Sequence, residues 1–169
     1  MGLLSEIMAQ KCSLHPDVAR RLRTAAALHD IGKSKIPGEI LNKPDALYNE
    51  EWEIMKTHTV LGAEILTDIK GELGEMACLI AQYHHEKWDG SGYWKKYADD
   101  LPLYIPIVTI VDMFVALLSE RAYKAKWSYE NAVEYIQKQA GTYFNPSLVD
   151  IFINLVEHDK NVFPLLQVS

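Results

Sequence analysis

Cysteine is scarce in this chain of 169 residues: Cys12 and Cys78 are its only two, far apart and with no CxxC spacing. Two reduced thiols are therefore expected rather than a disulfide, which suits a cytoplasmic location. Glycine and proline, at 9 and 7 residues, are too few for a disordered or fibrous chain. No apolar run approaches the ~20 residues that span a bilayer, and MGLLSEIMAQK lacks the basic start and long apolar core of a signal peptide, so no membrane insertion is expected. Positive charge is also short. Lysine and arginine number 17 against 23 acidic residues, a formal net charge of −6, which disfavours binding to a nucleic-acid polymer or an anionic membrane. A small anion held by local cations and metals stays compatible with that balance. What is abundant is apolar surface: at 49% hydrophobic residues, the chain reads as a single domain over residues 1–169, long enough to bury roughly two-thirds of its unfolded surface.

The apolar period is helical throughout. Pro16 suits a first turn, and Val18, Leu22, Ala25 and Ala26 recur at three- and four-residue steps, predicting a helix over 16–31 that Gly32 interrupts. Residues 32–47, rich in Gly, Pro, Asn and Asp, predict a loop holding a short helical turn. Asn49 can cap a helix over 50–68, broken near His58, with Trp52, Met55, Val60, Ala63 and Leu66 in helical rhythm. A further helix spans 71–86, and a loop follows it. IPIVTIVDMFVALLSE at 105–120 is β-branched enough for a buried strand, but its length and spacing favour a buried helix. Ser128 and Asn145-Pro146 open the last two helices, to about Ala140 and Val156. The expected fold class is all-α.

Among six histidines, His15 beside a proline and His158 among charges read as loop and surface. His29 and Asp30, after AAAL, read either as a capped helix end or as metal ligands, and His58 alone reads as an ordinary histidine. Two adjacent imidazoles, His84 and His85, at a helix end are poorly tolerated unless something coordinates them. Asp112, a carboxylate inside an apolar helix, requires a nearby cation, because an unpaired buried charge costs several kcal/mol. Together these six residues supply four nitrogens and two carboxylates, a set that suits Fe, Mn, Zn or Ni better than Ca or Mg. Six ligands exceed one tetrahedral site, so two divalent ions are expected, with Asp30 as the bridge. A hydroxide held between two metals would attack phosphorus in line. Lys33, one turn beyond Asp30, either neutralises a phosphate oxygen as part of the catalytic set or is a plain surface lysine.

These motifs resemble the HD superfamily of metal-dependent phosphohydrolases, and specifically its HD-GYP branch. HDIGK at 29–33, IP at 36–37, LNKP at 41–44, EEWEIMKTH at 50–58, GAEIL at 62–66, HHEKWDGSGY at 84–93 and VDMFVALLSERAY at 111–123 carry the resemblance, in unbroken order between residues 20 and 155. It implies an HD-domain helical bundle that binds two or three metals, commonly iron or manganese, and hydrolyses cyclic di-GMP. By family position the metal ligands are His29, Asp30, His58, His84, His85 and Asp112. Lys33 would touch the scissile phosphate, Gly92 and Tyr93 would line the nucleotide site, and Arg121 and Lys124 would hold the dinucleotide phosphates. A partner signalling domain or a homodimer fits the same pattern. Two further functions stay open: a non-catalytic nucleotide-binding or interaction module, and a hydrolase of another phosphoester.

Three departures accompany the resemblance. The family's additional N-terminal helix, with a histidine about thirty residues before HD, has no counterpart here. That implies a sequence from which the helix is missing, a member with an eroded site, or a site completed by another chain or by water. Trp94 stands where the signature has proline, which is expected to reshape the loop at the site mouth. Val115 replaces a second aspartate, removing a carboxylate near the cationic pair.

Overall fold

The structure, a computed structural model, describes residues 1–119 and 126–159. Among these residues the chain is helical, with no strand beyond one isolated bridge between Ala140 and Phe144. The helices are α1 (Gly2–Lys11), α2 (Pro16–Ala27), α3 (Gly38–Leu41), α4 (Asn49–Lys56), α5 (His58–Leu66), α6 (Glu72–Tyr83), α7 (Tyr104–Leu118), α8 (Tyr129–Lys138) and α9 (Pro146–His158), with 3-10 turns at Ile31–Lys35 and Ala98–Asp100. The all-α expectation holds.

Local chemistry starts each element. Pro16 and Pro146 occupy first turns whose missing N–H costs nothing, and the side chains of His15, Ser128 and Asn145 accept N–H groups that α2, α8 and α9 leave free at their starts. His15, expected in a loop, is thus a helix cap. Asn49 does not cap α4. Tyr48 holds that position, and Glu51 reaches back to accept the Tyr48 N–H at 2.7 Å.

Helix α7 is the axis of the core. Ile105 through Val111 are consecutively buried, as are Phe114 and Leu117, so this helix is covered on nearly every side and its β-branched content packs without forming a strand. Helices α1, α8 and α9 pack around it, α2 bridges α1 and α6, and α5 lies between α6 and the 3-10 turn at Ile31–Lys35. Helix α1 has no counterpart among the predicted elements. Its buried side is narrow and includes small residues, Leu4, Ser5, Met8 and Ala9, and Gly2 approaches the Arg23 carbonyl where a Cβ would lie 2.3 Å from the oxygen. The predicted helix over 16–31 ends at Ala27, and the one over 71–86 ends at Tyr83. Both stop just short of histidines.

Candidate metal centre

Three helices end one or two residues before a histidine, and each of these histidines turns its Nδ1 back to a carbonyl in the last turn just completed. His29 Nδ1 meets Ala26 O at 2.8 Å after α2, His58 Nδ1 meets Met55 O at 2.6 Å after α4, and His84 Nδ1 meets Ile80 O and Ala81 O, both at 3.0 Å, after α6. A carbonyl only accepts, so each Nδ1 carries the proton and donates it. The Nε2 of a neutral ring is then a bare lone pair.

These lone pairs converge. The Nε2 atoms of His58 and His84 lie 3.4 and 3.7 Å from Asp30 Oδ1, and none of the three atoms has a hydrogen-bond partner among the described residues, although all are buried. Two lone-pair nitrogens facing a carboxylate oxygen are unfavourable in a buried pocket unless a cation lies between them. Ligand atoms of Asp30, His58, His84 and His85 all fall within 4.8 Å of one another, a group that could hold a metal ion. The two adjacent histidine rings pack at 4.0 Å between centroids.

The other oxygen of Asp30 faces a second set. Oδ2 lies 2.6 Å from Lys33 Nζ and 3.2 Å from His29 Nε2, and His29 Nε2 in turn lies 3.3 Å from Asp112 Oδ1. The cation that Asp112 requires on α7 is therefore His29 in this structure. The structure brings together all six residues singled out in the sequence, as two halves joined at Asp30.

Electrostatics separate the imidazoles. Burial pulls the His29 ring down, but its hydrogen bonds to Asp112 and Asp30 and their charges outweigh this and push it up to about 10. Burial would raise Asp30, yet His29 and Lys33 hold its carboxyl well below the usual carboxylate range. Asp112 is lowered in the same way, with His29 overcoming burial. His84 is kept far below its ordinary value by burial and by neighbouring His85 and His29, and burial with His58 takes His85 down to about 3. Burial thus favours the neutral form of His58, His84 and His85, the form that could coordinate a metal, whereas the two carboxylates favour the protonated form of His29.

Backbone packing supports these side chains. A Cβ on Gly32 would lie 1.9 Å from the His58 carbonyl oxygen, so only glycine lets the 3-10 turn carrying Lys33 lie against α5. Thr109 on α7 donates to the His84 carbonyl at 3.0 Å. Gly92, expected to line the nucleotide site, allows close approach to the backbone of residues 85–87, where a Cβ would meet Glu86 Cα at 2.6 Å. Tyr93 does reach the site: its ring lies 4.5 Å from the His85 ring. Arg121 and Lys124 lie outside the described residues.

Glu86 is the site residue that the sequence reading missed. Its side chain is buried, and its two oxygens accept the backbone N–H groups of Trp94 and Lys96, each at 2.7 Å, fastening the loop after α6. Its only sequence signal is its place after the histidine pair. A proline at position 94 could not donate the first of these bonds. Trp94 therefore clasps the loop rather than only reshaping it, and its indole N–H adds a bond to Thr59 Oγ1 at 3.2 Å. Beside the cluster opens a cleft of about 850 Å³ whose lining includes Lys33, Ile40, Trp52, Met55, His85 and Tyr93, within the range of small-molecule sites.

Residues 1–148 match the family model described as HD domain. The chain belongs to the HD domain family. Within it the motifs HDIGK and HHEKWDGSGY place it in the HD-GYP branch, with tryptophan at the last position of the signature. It is 42% identical over 159 residues to 3'3'-cGAMP-specific phosphodiesterase 2 of Vibrio cholerae, an alignment covering 94% of this chain and 30% of that protein. It is 37% identical to the cyclic di-GMP phosphodiesterase response regulator RpfG of Xanthomonas campestris, over 90% of this chain and 41% of the relative. A cyclic di-GMP phosphodiesterase of Thermotoga maritima is also 37% identical, with shares of 96% and 45%. The chain thus spans less than half the length of these relatives. In fold it is similar to a cyclic GMP-AMP specific phosphodiesterase from V. cholerae, with a TM-score of 0.71, 17% identity, and coverage of 99% of this chain and 47% of that one. No described helix is long and apolar enough to cross a membrane.

Proposed function

We propose that this chain is the catalytic domain of a metal-dependent phosphodiesterase that hydrolyses cyclic di-GMP or a related cyclic dinucleotide. The observation that carries the reading is the pair of unpartnered Nε2 lone pairs, on His58 and His84, turned toward Asp30 by backbone-held Nδ1 atoms. His58, His84, His85 and Asp30 would hold one divalent ion, and Asp30, His29 and Asp112 a second. The two-sided contacts of Asp30 support its role as bridge. Iron and manganese are favoured, and zinc or nickel suits the same donors. Such ions supply positive charge to phosphate oxygens and acidify water. The chain's own residues do the rest. Lys33, half-exposed at the cleft edge, adds a positive charge for a phosphate oxygen. Tyr93 walls the cleft beside His85, and Gly92 shapes the loop that carries it. Arg121 and Lys124, which match the family's cationic residues by sequence position, would hold the dinucleotide phosphates. The setting proposed is a cytoplasmic domain of a longer signalling protein or a homodimer.

Metal-loaded protein is incubated with labelled cyclic di-GMP and 3'3'-cGAMP, with His84→Ala as control. Conversion to the linear dinucleotide, lost in the control, is expected. Unchanged substrate in both proteins overturns the reading. Saturable binding without product would then select a non-catalytic nucleotide-binding module, and turnover of phosphomonoesters alone would select a different HD phosphohydrolase.

A further inference from the structure

Helix α4 buries no residue, although its apolar positions follow a helical period. Trp52 and Met55, two of the residues in that period, line the cleft beside the candidate metal ligands, and Trp52 is 45% exposed. The hydrophobic core does not account for this large aromatic ring, which stands on the cleft wall with much of its surface open to solvent. Its surroundings do account for it. The Trp52 ring meets the Tyr93 ring edge-to-face, at 6.0 Å between centroids and 79°, and Tyr93 leans on His85 at 4.5 Å. An aromatic path therefore runs outward from a candidate metal ligand to an exposed indole. Tyr93 is partly buried, so the indole is the ring with free surface.

We propose that Trp52 is the platform on which a nucleobase of the cyclic dinucleotide stacks when its phosphate sits at the metal centre, and that it sets selectivity for nucleotide over base-free phosphodiesters. The inference rests on the phosphodiesterase reading and names the base contact of that same site. Aromatic stacking suits this place because every base presents a π face, and the edge-to-face corner with Tyr93 leaves a planar ring one surface to lie on and an edge to abut.

The test compares wild type, Trp52→Phe and Trp52→Ala, each loaded with manganese and checked for metal content and helical circular dichroism. Binding of labelled cyclic di-GMP is measured at equilibrium, and kcat and KM are measured for cyclic di-GMP and for methyl p-nitrophenyl phosphate. Trp52→Ala is expected to weaken binding roughly tenfold, with the loss in KM rather than kcat, and to lower selectivity for cyclic di-GMP over the base-free diester by a similar factor. Trp52→Phe should retain most of the binding. Unchanged affinity in Trp52→Ala overturns the proposal, as does a wild type that binds no cyclic di-GMP. A wild type that binds but cleaves neither diester overturns the phosphodiesterase reading instead, and the binding comparison still decides the stacking. Weakened binding with displaced metal in Trp52→Ala, and no retention by Trp52→Phe, would make Trp52 a prop for α4 and overturn the proposal.

Discussion

His29 is the one ligand candidate that holds a proton across the neutral range, because Asp30 and Asp112 flank its Nε2. With no metal bound, its pKa of about 10 lies above the ordinary 6.5. Its contribution to stability is then complete below pH 6.5 and is lost as pH rises through about 10. His85 has the opposite sign. Its pKa of about 3 lies below the ordinary value, so folding is favoured above pH 6.5 and is penalised increasingly as pH falls toward 3. Chelator-treated protein should therefore melt highest near neutrality, with Tm falling on both sides in a series from pH 4 to 10. Metal must also displace the His29 proton, while His58 and His84, whose Nδ1 atoms donate to backbone carbonyls, have none to give at Nε2. Calorimetric titration at pH 7.5, in buffers of different ionisation enthalpy, should show about one proton released per chain on filling both halves of the site. His29→Gln should abolish that release.

At the scale of the element, the loop after α6 depends on one carboxylate. Glu86→Ala removes the acceptor for two backbone N–H groups and should cost about 2–3 kcal/mol in chemical denaturation. Amide exchange at Trp94 and Lys96 should rise sharply while that of α7 stays slow. Wild-type exchange rates at these two amides in the variant would contradict the clasp. Element placement was largely legible in the sequence, since period and capping residues located eight of the nine described helices. What escaped has physical causes. The helices before His29 and His84 end earlier than the apolar period predicts, because the ring Nδ1 atoms take carbonyls that a continuing helix would use. The cleft-facing place of Trp52 and Met55 was not legible, because period alone cannot tell an apolar face against a core from one against a cleft. Helix α1 escaped because small residues make up half of its buried side. The six ligand candidates were legible because carboxylates and paired imidazoles at apolar positions demand partners, whereas Glu86 serves backbone amides that leave no mark on sequence.

At the scale of the whole molecule, the candidate metal centre gathers residues from the ends of α2, α4 and α6 and from α7. A metal bound there bridges elements spread from residue 29 to residue 112 and binds only the folded chain. Free metal at a hundredfold excess over its Kd should stabilise by about 2.7 kcal/mol. Chelation should accordingly lower Tm by roughly 5–10 °C, reversibly on adding metal back, as scanning calorimetry would show. An equal Tm with and without chelator would contradict a metal held in common by these helices. The Nδ1 anchors carry one more consequence, for how such a chain can change over generations. Each imidazole is oriented by a carbonyl of the turn that precedes it, so helix length and ligand direction are a single quantity. One residue inserted in the last turn of α2, α4 or α6 swings its histidine by about 100°, whereas one inserted between α3 and α4 moves no ligand. Length variation among descendants of this sequence should therefore gather in the connecting loops and spare those three turns.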